Sequence, residues 1–214
     1  MQLNWIVIQG YKSFRQVELT LRPLNILIGP NGAGKSNWMS LFTLLAEMMK
    51  QNFQLRIAQA GGADSFFHLG QKITEKISVS LRTGDCGYEC TWVPAAGDTL
   101  VFQDEVVLEY RNNKSEVVKE HGSGHKETQL LQGFKESSYK ATEQILRLLD
   151  FKTYHFHDTS DSAKIKKMGD ITDNIYLRSD GSNLAAFLHY MKHVSEPHYE
   201  AIRETVRQVA PFFS

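Results

Sequence analysis

The chain has 214 residues, a length that suits one domain of ordinary to large size or part of a larger one. Lysine and arginine together number 24, and so do aspartate and glutamate, so the net charge argues against a strong overall field for nucleic acid or a membrane surface. No apolar run approaches a membrane span, and the N-terminus lacks the pattern of a signal peptide, which predicts a cytoplasmic protein with no membrane partner.

Residues 1–28 have the patterns of three short strands. At residues 3–8 and 17–22, the side chains divide between two alternating faces, as in a β-strand. Residues 24–28 form a continuous apolar run typical of a buried parallel strand. Between the first two strands, residues 10–15 form a turn-like segment rich in basic and aromatic side chains. By composition alone, this segment also fits the solvated end of a hairpin.

Residues 29–36, Gly-Pro-Asn-Gly-Ala-Gly-Lys-Ser, match the P-loop pattern G-x-x-x-x-G-K-[ST] at every position. Glycines let the backbone turn its N–H groups towards phosphate oxygens, Lys35 reaches the terminal phosphates, and the Ser36 hydroxyl binds Mg²⁺. The motif predicts a bound nucleoside triphosphate. Its contact residues are Asn31, Gly32, Ala33, Gly34, Lys35 and Ser36.

The flanking residues support this interpretation. After the loop, apolar residues recur at intervals of three and four, as on an amphipathic helix: Trp38, Leu41, Phe42, Leu45, Met48 and Met49. A strand, a glycine loop and a helix are the arrangement that the motif requires, with the helix N-terminus against the phosphates. This context favours a P-loop over a glycine turn with an incidental Gly-Lys-Ser.

The middle of the chain, from about residue 53 to 125, predicts an antiparallel meander. Strand-like runs at residues 73–81, 86–93, 99–110 and 115–119 are separated by short turn-forming segments. Residues 119–127 have the composition of a flexible polar linker that closes the meander.

Neither the cysteines nor the histidines predict a metal site. Cys86 and Cys90 stand four positions apart on one predicted strand, a separation of roughly 13 Å. That distance excludes a disulfide or a shared metal and favours two buried thiols in a reducing compartment. His189 and His193 lie one helical turn apart, but they lack the glutamate of H-E-x-x-H and a clear third ligand, so we assign them surface or packing roles.

Residues 100–105, Leu-Val-Phe-Gln-Asp-Glu, superficially match a Walker B strand, in which Asp104 would hold Mg²⁺ and Glu105 would activate water. The alternation of the whole run instead places Gln103, Glu105 and Glu109 together on one face, opposite the apolar side chains. We therefore interpret these acids as part of a half-exposed strand.

The last third of the chain predicts helices with one short strand. A helix is expected around Ala141, Ile145, Leu148 and Leu149, followed by a strand at residues 153–156. Residues 161–169 carry three lysines and have the composition of a mobile, solvated loop that a polyanionic partner could also contact. Two further helices follow, and Ser182 or Asp180 is expected to cap the first of them.

The first fifty residues resemble the opening of the SMC/RecF-type ATPases, the ABC-like branch of P-loop ATPases that includes RecF-like predicted AAA ATPases. The likeness rests on the N-terminal strand, on Gly10-Tyr11-Lys12-Ser13-Phe14, and on the second strand with residues 23–37, including Asn37. Tyr11 stands where phenylalanine is common in this family. The resemblance implies an α/β P-loop NTPase fold, ABC/SMC-head-like, with an antiparallel β lobe and a helical portion. It also implies ATP as the nucleotide and places Lys12, Ser13 and Asn37 beside it.

This resemblance organises the whole chain. We predict a single N-terminal nucleotide-binding half-domain over residues 1–214: strands, P-loop and helix in residues 1–60, the β lobe in 61–125, and the helical portion in 126–214. In the family, a loop after a comparable strand carries a glutamine that senses the γ-phosphate. No glutamine stands here, and the nearest residues are His157 and Asp158, with ordinary polar residues at a strand end as the alternative.

Residues 177–184 also resemble the ABC signature loop, in which Ser-x-Gly precedes a helix. A true signature leads to an apolar strand ending in Asp-Glu, and only another helix follows before the chain ends at Ser214. The capped helix start is therefore our preferred interpretation of this segment.

The resemblance implies an ATPase that acts on DNA, in repair, recombination or defence against foreign DNA, and that clamps two ATP molecules in a head-to-head dimer. This chain supplies the phosphate cradle but no evident catalytic carboxylate, so its own ATPase activity is left open. We predict an ATP-binding portion that needs a C-terminal half or partner subunit carrying signature and Walker B motifs. The alternative is a non-catalytic module in which ATP controls assembly. A small-molecule kinase is less favoured because no substrate-binding residues are evident.

Overall fold

A computed structural model of the chain describes residues 2–111, 114–135, 140–154, 156 and 160–211. The chain divides into two compact units, Met1–Phe151 and Lys152–Ser214. The prediction of a single nucleotide-binding half-domain over residues 1–214 stays a prediction. No helix in the described ranges is long and apolar enough to cross a membrane.

One six-stranded antiparallel sheet forms the frame of the first unit, in the order β2-β1-β3-β4-β5-β6. Its strands are β1 (Trp5–Tyr11), β2 (Phe14–Thr20), β3 (Ile77–Thr83), β4 (Cys86–Ala95), β5 (Thr99–Arg111) and β6 (Lys114–Glu120). The run from β3 to β6 confirms the predicted meander, which we call the lobe. The first hairpin also joins this sheet, because β1 pairs with β3.

Three helices pack with this sheet: α1 (Lys35–Met49), α2 (Phe53–Gln59) and α3 (Lys140–Leu149). The α2 helix contacts β5, α3 contacts β3, β4 and β5, and α1 contacts both other helices. The predicted periods of α1 and α3 are confirmed, since their apolar positions enter the core. The buried residues of α1 are Trp38, Leu41, Leu44, Leu45, Ala46 and Met48, and those of α3 are Ala141, Thr142, Ile145, Leu148 and Leu149.

Three aromatic rings fasten α2 to the sheet. The ring of Phe53 lies 5.1 Å from that of Trp92 and 5.4 Å from that of Phe102, and the last two are 6.1 Å apart with a T-shaped geometry. All three side chains are fully buried. Because aromatic pairs add to the energy of buried area, the start of α2 is held firmly against β4 and β5.

The predicted third strand, residues 24–28, is wrong. The segment has no ladder partner, and its apolar side chains face outwards: Leu24 is 76%, Ile26 76%, Leu27 46% and Ile28 90% exposed. A buried parallel strand needs neighbours on both sides. Every ladder in the described part of the chain is antiparallel, and none of them adjoins this segment.

The predicted exposed face of β5 is wrong at Glu105. The register with β4 shifts so that Thr91 pairs with Asp104 and Trp92 with Phe102, which leaves Gln103 as an extra residue. Such a bulge reverses the alternation that follows it. Glu105 therefore turns inwards and is fully buried, whereas Asp104 stays exposed.

Four donors surround the Glu105 carboxylate. Tyr88 Oη donates at 2.8 Å, His125 Nε2 at 3.0 Å and the Gln129 N–H at 2.9 Å, and the Thr128 hydroxyl also donates. A buried carboxylate is tolerated when its oxygens are satisfied in this way. Glu105 is thus an anchor of the lobe, in agreement with our preference for a structural strand over a Walker B strand.

The prediction that residues 119–127 form a flexible linker is also wrong, because this segment is held by hydrogen bonds. Lys119 and Glu120 belong to β6, and the residues after them continue along β5. Backbone hydrogen bonds join His121 to Glu105 and both Gly124 and His125 to Phe102. The glycine-rich composition indicated flexibility, but contacts from distant parts of the chain fix this segment, which we call the strap (residues 121–129).

The second unit contains helices α4 (Leu184–Val194) and α5 (Glu196–Val209) and a 3₁₀ turn at Lys164–Lys166. The prediction that Ser182 or Asp180 caps α4 is wrong, because Asn183 is the N-cap and makes no side-chain cap hydrogen bond. Its buried amide is used by the preceding loop instead: Oδ1 accepts from the Arg178 N–H at 2.9 Å, and Nδ2 donates to the carbonyls of Asp173 and Tyr176.

The strand predicted at residues 153–156 is not observed at Thr153, Tyr154 or Phe156, since the described residues offer it no ladder partner. The rings of Tyr154 and Phe156 stack on each other at 5.9 Å. His155 lies outside the described residues, as do His157 and Asp158, so the predicted γ-phosphate-sensing loop stays a prediction.

The cysteines and histidines form no metal centre in the described ranges. Cys86 and Cys90 are free and buried, as predicted. His189 and His193 contact each other, with ring centroids 4.9 Å apart. Among the residues that the structure describes, no group of three or more His, Cys, Asp or Glu side chains could hold a metal ion.

Candidate nucleotide site

The loop at residues 29–34 ends at an uncapped helix. Gly32 and Gly34 adopt positive φ values of 85° and 94°, which only glycine takes without strain. The α1 helix begins directly after Gly34, and no side chain caps it. The first N–H groups of a helix have no partner within that helix, and its N-terminus favours negative charge. The exposed loop and the start of α1 thus present backbone donors to an anion.

The packing around residue 34 gives a second reason why this position requires glycine. A Cβ atom at this position would stand 2.8 Å from Ser13 Oγ and 3.1 Å from the Phe14 ring. The turn between β1 and β2 therefore packs directly on the end of the loop. Asn37 Nδ2 also donates to Ser13 Oγ at 2.9 Å. The structure thus brings together Ser13, Gly34 and Asn37, which the sequence had assigned to one site.

The side chain of Lys35 lies across the mouth of the loop. Its Nζ donates to the carbonyls of Gly29 at 2.6 Å and Pro30 at 2.8 Å. An anionic phosphate oxygen is a stronger acceptor for an ammonium group than a neutral carbonyl is. Lys35 is therefore placed where it can exchange these carbonyls for a phosphate.

Ser36 meets the requirement for a Mg²⁺ ligand in chemistry and access. Its side chain is exposed at the first turn of α1, and its hydroxyl makes no hydrogen bond to another described residue. Magnesium prefers oxygen ligands and is usually held by few protein groups together with substrate phosphates. The residues present fit both a triphosphate and its metal.

Lys12 carries a cation that pairs with no carboxylate of the described residues. Its Nζ lies 5.0 Å from the ring centroid of Phe66 and 5.7 Å from that of Tyr11, and no carboxylate of the described chain forms an ion pair with it. Burial, and then the charge of Arg56, lower the pKa of the Lys12 ammonium from its usual value. A partly desolvated cation of this kind favours the arrival of an anion.

Sequence reasoning missed the segment that supports Lys12. Phe66 and His68 contact the turn at residues 10–13 through backbone and side-chain atoms. Neither residue belongs to a motif, and more than fifty residues separate them from the turn along the chain. No local signal in the sequence could have indicated this contact.

A cleft of about 800 Å³ adjoins the segment before the loop. Residues 24–27 line one part of it, and apolar side chains of α1 and of the end of β2 line the rest, among them Leu19, Trp38 and Phe42. The cleft is therefore bounded by the same apolar residues that were expected to form a buried strand.

Among the comparisons with known proteins, a family model identifies the chain. No curated protein matches the chain. One solved structure, from work on ATP-driven dimerization and DNA-stimulated activation of SMC ATPases, aligns at 12% identity with a TM-score of 0.36, covering 70% of this chain and 99% of that one. A family model described as an AAA ATPase domain matches residues 1–201. The chain therefore belongs to the family of AAA ATPase domains, as the resemblance of its first fifty residues implied.

Proposed function

We propose that the chain is the ATP-binding portion of an SMC/RecF-type ATPase that acts on DNA. It binds ATP through residues 31–37, with Lys12 and Ser13 beside the nucleotide, and Ser36 ligates Mg²⁺. The observation that carries the proposal is the uncapped start of α1 behind an open glycine loop, with Lys35 across its mouth.

We further propose that a C-terminal half or partner subunit completes the site. Residues 24–28 expose four large apolar side chains next to the loop, and the segment joins no ladder among the described residues. Exposed edges and apolar patches of this kind are normally covered by another chain segment. A strand added here would bury that surface beside the phosphates.

Hydrolysis needs a carboxylate that this chain does not offer at the two positions considered. Glu105 is committed to four donors inside the lobe, and Asp104 is exposed on the strand opposite Thr91. A positioned base is required for attack of water on the γ-phosphate. The missing half is therefore the proposed source of the Walker B carboxylate and of the signature loop.

The second unit also supports a missing partner. Large apolar side chains are exposed in the segment between its 3₁₀ turn and α4, including Met168, Ile175 and Tyr176. The α4 and α5 helices contact each other, but few of the described residues of this unit are buried. Apolar surface of this extent in one unit is typical of an interface.

The test of the site is calorimetric titration of the chain with ATP and Mg²⁺. Lys35→Ala is expected to abolish detectable binding, because the variant loses the cation that meets the terminal phosphates. Lys50→Ala is the matched control: Lys50 stands at the other end of α1 and pairs with Glu47. Equal ATP affinity of Lys35→Ala and the unchanged chain would refute the site.

The test of the composite mechanism is steady-state turnover. The chain alone is expected to hydrolyse ATP at a rate near background and to gain turnover when the complementary half is added. Turnover by the chain alone that disappears in Asp104→Asn/Glu105→Gln would contradict the proposal. Assembly driven by ATP without turnover, even with the complementary half, would favour the alternative of a non-catalytic module.

The proposals on the head-to-head dimer, on DNA and on location rest on the resemblance alone. When complete, the ATPase is proposed to form an ATP-dependent head-to-head dimer in the cytoplasm and to act on DNA in repair, recombination or defence. Stimulation of ATP turnover by duplex DNA in the completed protein would support this role. An ATPase rate and a dimer fraction that are both indifferent to DNA would refute it.

A further inference from the structure

The turn that carries Lys12 is held in an unusual conformation. Lys12 has a φ of 45°, in the left-handed region that residues other than glycine seldom adopt. Such a conformation persists only where the surrounding structure determines it, and it is common at binding sites. The contacts that hold this turn are therefore of functional interest.

Residues 66–68 form hydrogen bonds with the backbone of the turn on one side. The Lys12 N–H donates to the Phe66 carbonyl at 2.8 Å, and the His68 N–H donates to the Gly10 carbonyl at 2.9 Å. The imidazole of His68 makes the third contact, with Nδ1 2.7 Å from the Lys12 carbonyl oxygen. We call residues 66–68 the clamp.

The proton in this third contact must belong to histidine. A carbonyl oxygen only accepts, so His68 Nδ1 carries the hydrogen. Both the neutral Nδ1–H tautomer and the imidazolium ion satisfy this condition, and the contact does not depend on charge. Thr74 Oγ1 in turn donates to the His68 carbonyl, which fixes the backbone of the clamp.

The clamp also sets the position of the Lys12 ammonium. The Phe66 ring, which is almost fully buried, lies 5.0 Å beneath Nζ. On the opposite side, Ser13 bonds to Asn37 and packs against Gly34 of the phosphate loop. The turn is thus fixed between the clamp and the loop, so a shift at the clamp would move Lys12 relative to the loop.

We propose that His68 is a positioning residue of the nucleotide site: by holding the Lys12 carbonyl, it places the Lys12 ammonium to meet the bound nucleotide. This inference rests on the proposed ATP site and on the role of Lys12 in it. His68 itself does not touch the nucleotide.

The experiment compares ATP·Mg²⁺ binding by Lys12→Ala, His68→Leu, His68→Asn and the double variant Lys12→Ala/His68→Leu. Binding is followed by calorimetry and, where it is weak, by the rise in Tm at millimolar ATP. Loss of an interaction with a charged partner predicts about tenfold weaker binding or more for Lys12→Ala, and a smaller, severalfold loss for His68→Leu. The side-chain amide of asparagine can donate in place of Nδ1, so His68→Asn is expected to retain most of the affinity.

A residue that acts through Lys12 predicts non-additivity. In the Lys12→Ala background, His68→Leu is expected to cause no further loss of affinity. His193→Leu, the same substitution at an exposed position of the second unit, is the matched control and is expected to leave the affinity unchanged. The Tm without nucleotide shows whether each variant is folded.

The possible results separate this inference from the proposed function. An equal loss from His68→Leu with and without Lys12 would overturn the positioning role, as would a Lys12→Ala effect with no His68→Leu effect. If Lys35→Ala weakens binding and Lys12→Ala does not, the inference fails while the phosphate loop stands. If Lys35→Ala has no effect, the proposed site itself fails.

Discussion

The lobe and the segment before the phosphate loop are both rich in apolar residues, but the lobe has buried and paired strands, whereas the segment is exposed and joins no ladder of the described residues. In β3, Ile77, Val79 and Leu81 are buried in regular alternation between two partner strands. Residues 24–28 are at least as apolar, and yet they lie exposed without a partner. The difference lies in the neighbours that each segment finds. An apolar run specifies a tendency to form a strand, and only a neighbouring strand turns that tendency into structure.

The sharpest test of this comparison is a matched pair of isoleucines. Ile8 is fully buried on β1, and Ile28 is 90% exposed. Ile8→Ala is expected to lower the free energy of unfolding by about 2–5 kcal/mol, because it leaves a cavity in the core. Ile28→Ala is expected to change it by less than about 0.5 kcal/mol, the usual range for an exposed site. Urea denaturation of both variants measures the difference.

The effect of Ile28→Ala is expected to differ when the complementary half is present. If that half covers residues 24–28, Ile28→Ala becomes a buried substitution and weakens the association of the two parts. Leu55→Ala is the control, because Leu55 is also exposed but lies on α2, away from the segment. Equal effects of the two substitutions on association would show that the segment does not receive the partner.

A second matched pair tests the acids of β5. Glu105→Ala removes the common acceptor of four donors, two of which belong to the buried residues Tyr88 and Thr128, so a loss of about 3 kcal/mol or more in the free energy of unfolding is expected. Asp104→Ala, one residue away on the exposed face, is expected to cost less than about 0.5 kcal/mol. Similar losses in both variants would mean that the bulge does not turn Glu105 inwards as described.

These pairs show which parts of the molecule the sequence could predict. The period of α1 and the alternation of β3 are local, and both were predicted correctly, whereas the contact residues of the P-loop stay a prediction. The burial of Glu105 was missed because one extra residue in β5 reverses the pattern after it. The strand at residues 24–28 failed because its formation depends on a partner that the pattern cannot reveal.

Long-range contacts explain the remaining errors. The strap has the composition of a linker, but its backbone bonds to β5 and its side chains bond to α2. At the candidate site, Lys12 and Ser13 were predicted from the family resemblance, whereas the clamp at residues 66–68 matches no motif and is seen only in the structure. Loops and strands are thus predictable where neighbours in sequence decide them.

A smaller effect is expected at the junction between the strap and α2. The carboxylate of Glu127 accepts from the N–H groups of Phe53 at 2.9 Å and Gln54 at 3.0 Å, the first residues of α2. Glu127→Gln keeps an acceptor but loses the charge that favours a helix N-terminus, so a loss of about 0.5–1 kcal/mol is expected. Glu116→Gln on the exposed edge strand is the control. Equal stability of both variants would mean that Glu127 does not cap the N-terminus of α2.

The smallest effect concerns pH and distinguishes the strap from a solvated linker. Burial lowers the pKa of His121 below its ordinary value of 6.5, and the charges of Lys119 and His125 act in the same direction, while Glu105 opposes them. His121 Nε2 is buried without a partner among the described residues, so a proton there would have no acceptor.

The sign follows from linkage. A histidine with a lowered folded pKa binds more protons when unfolded, so its neutral form contributes to stability above pH 6.5, and this contribution is lost as the pH falls towards the folded pKa. The free energy of unfolding is therefore expected to decrease more between pH 7.5 and 5.5 in the unchanged chain than in His121→Leu. Ionisable groups away from residue 121 are the same in both proteins and cancel in the comparison. Parallel curves over this range would mean that His121 is solvated, and the strap would then be the flexible linker that its composition first indicated.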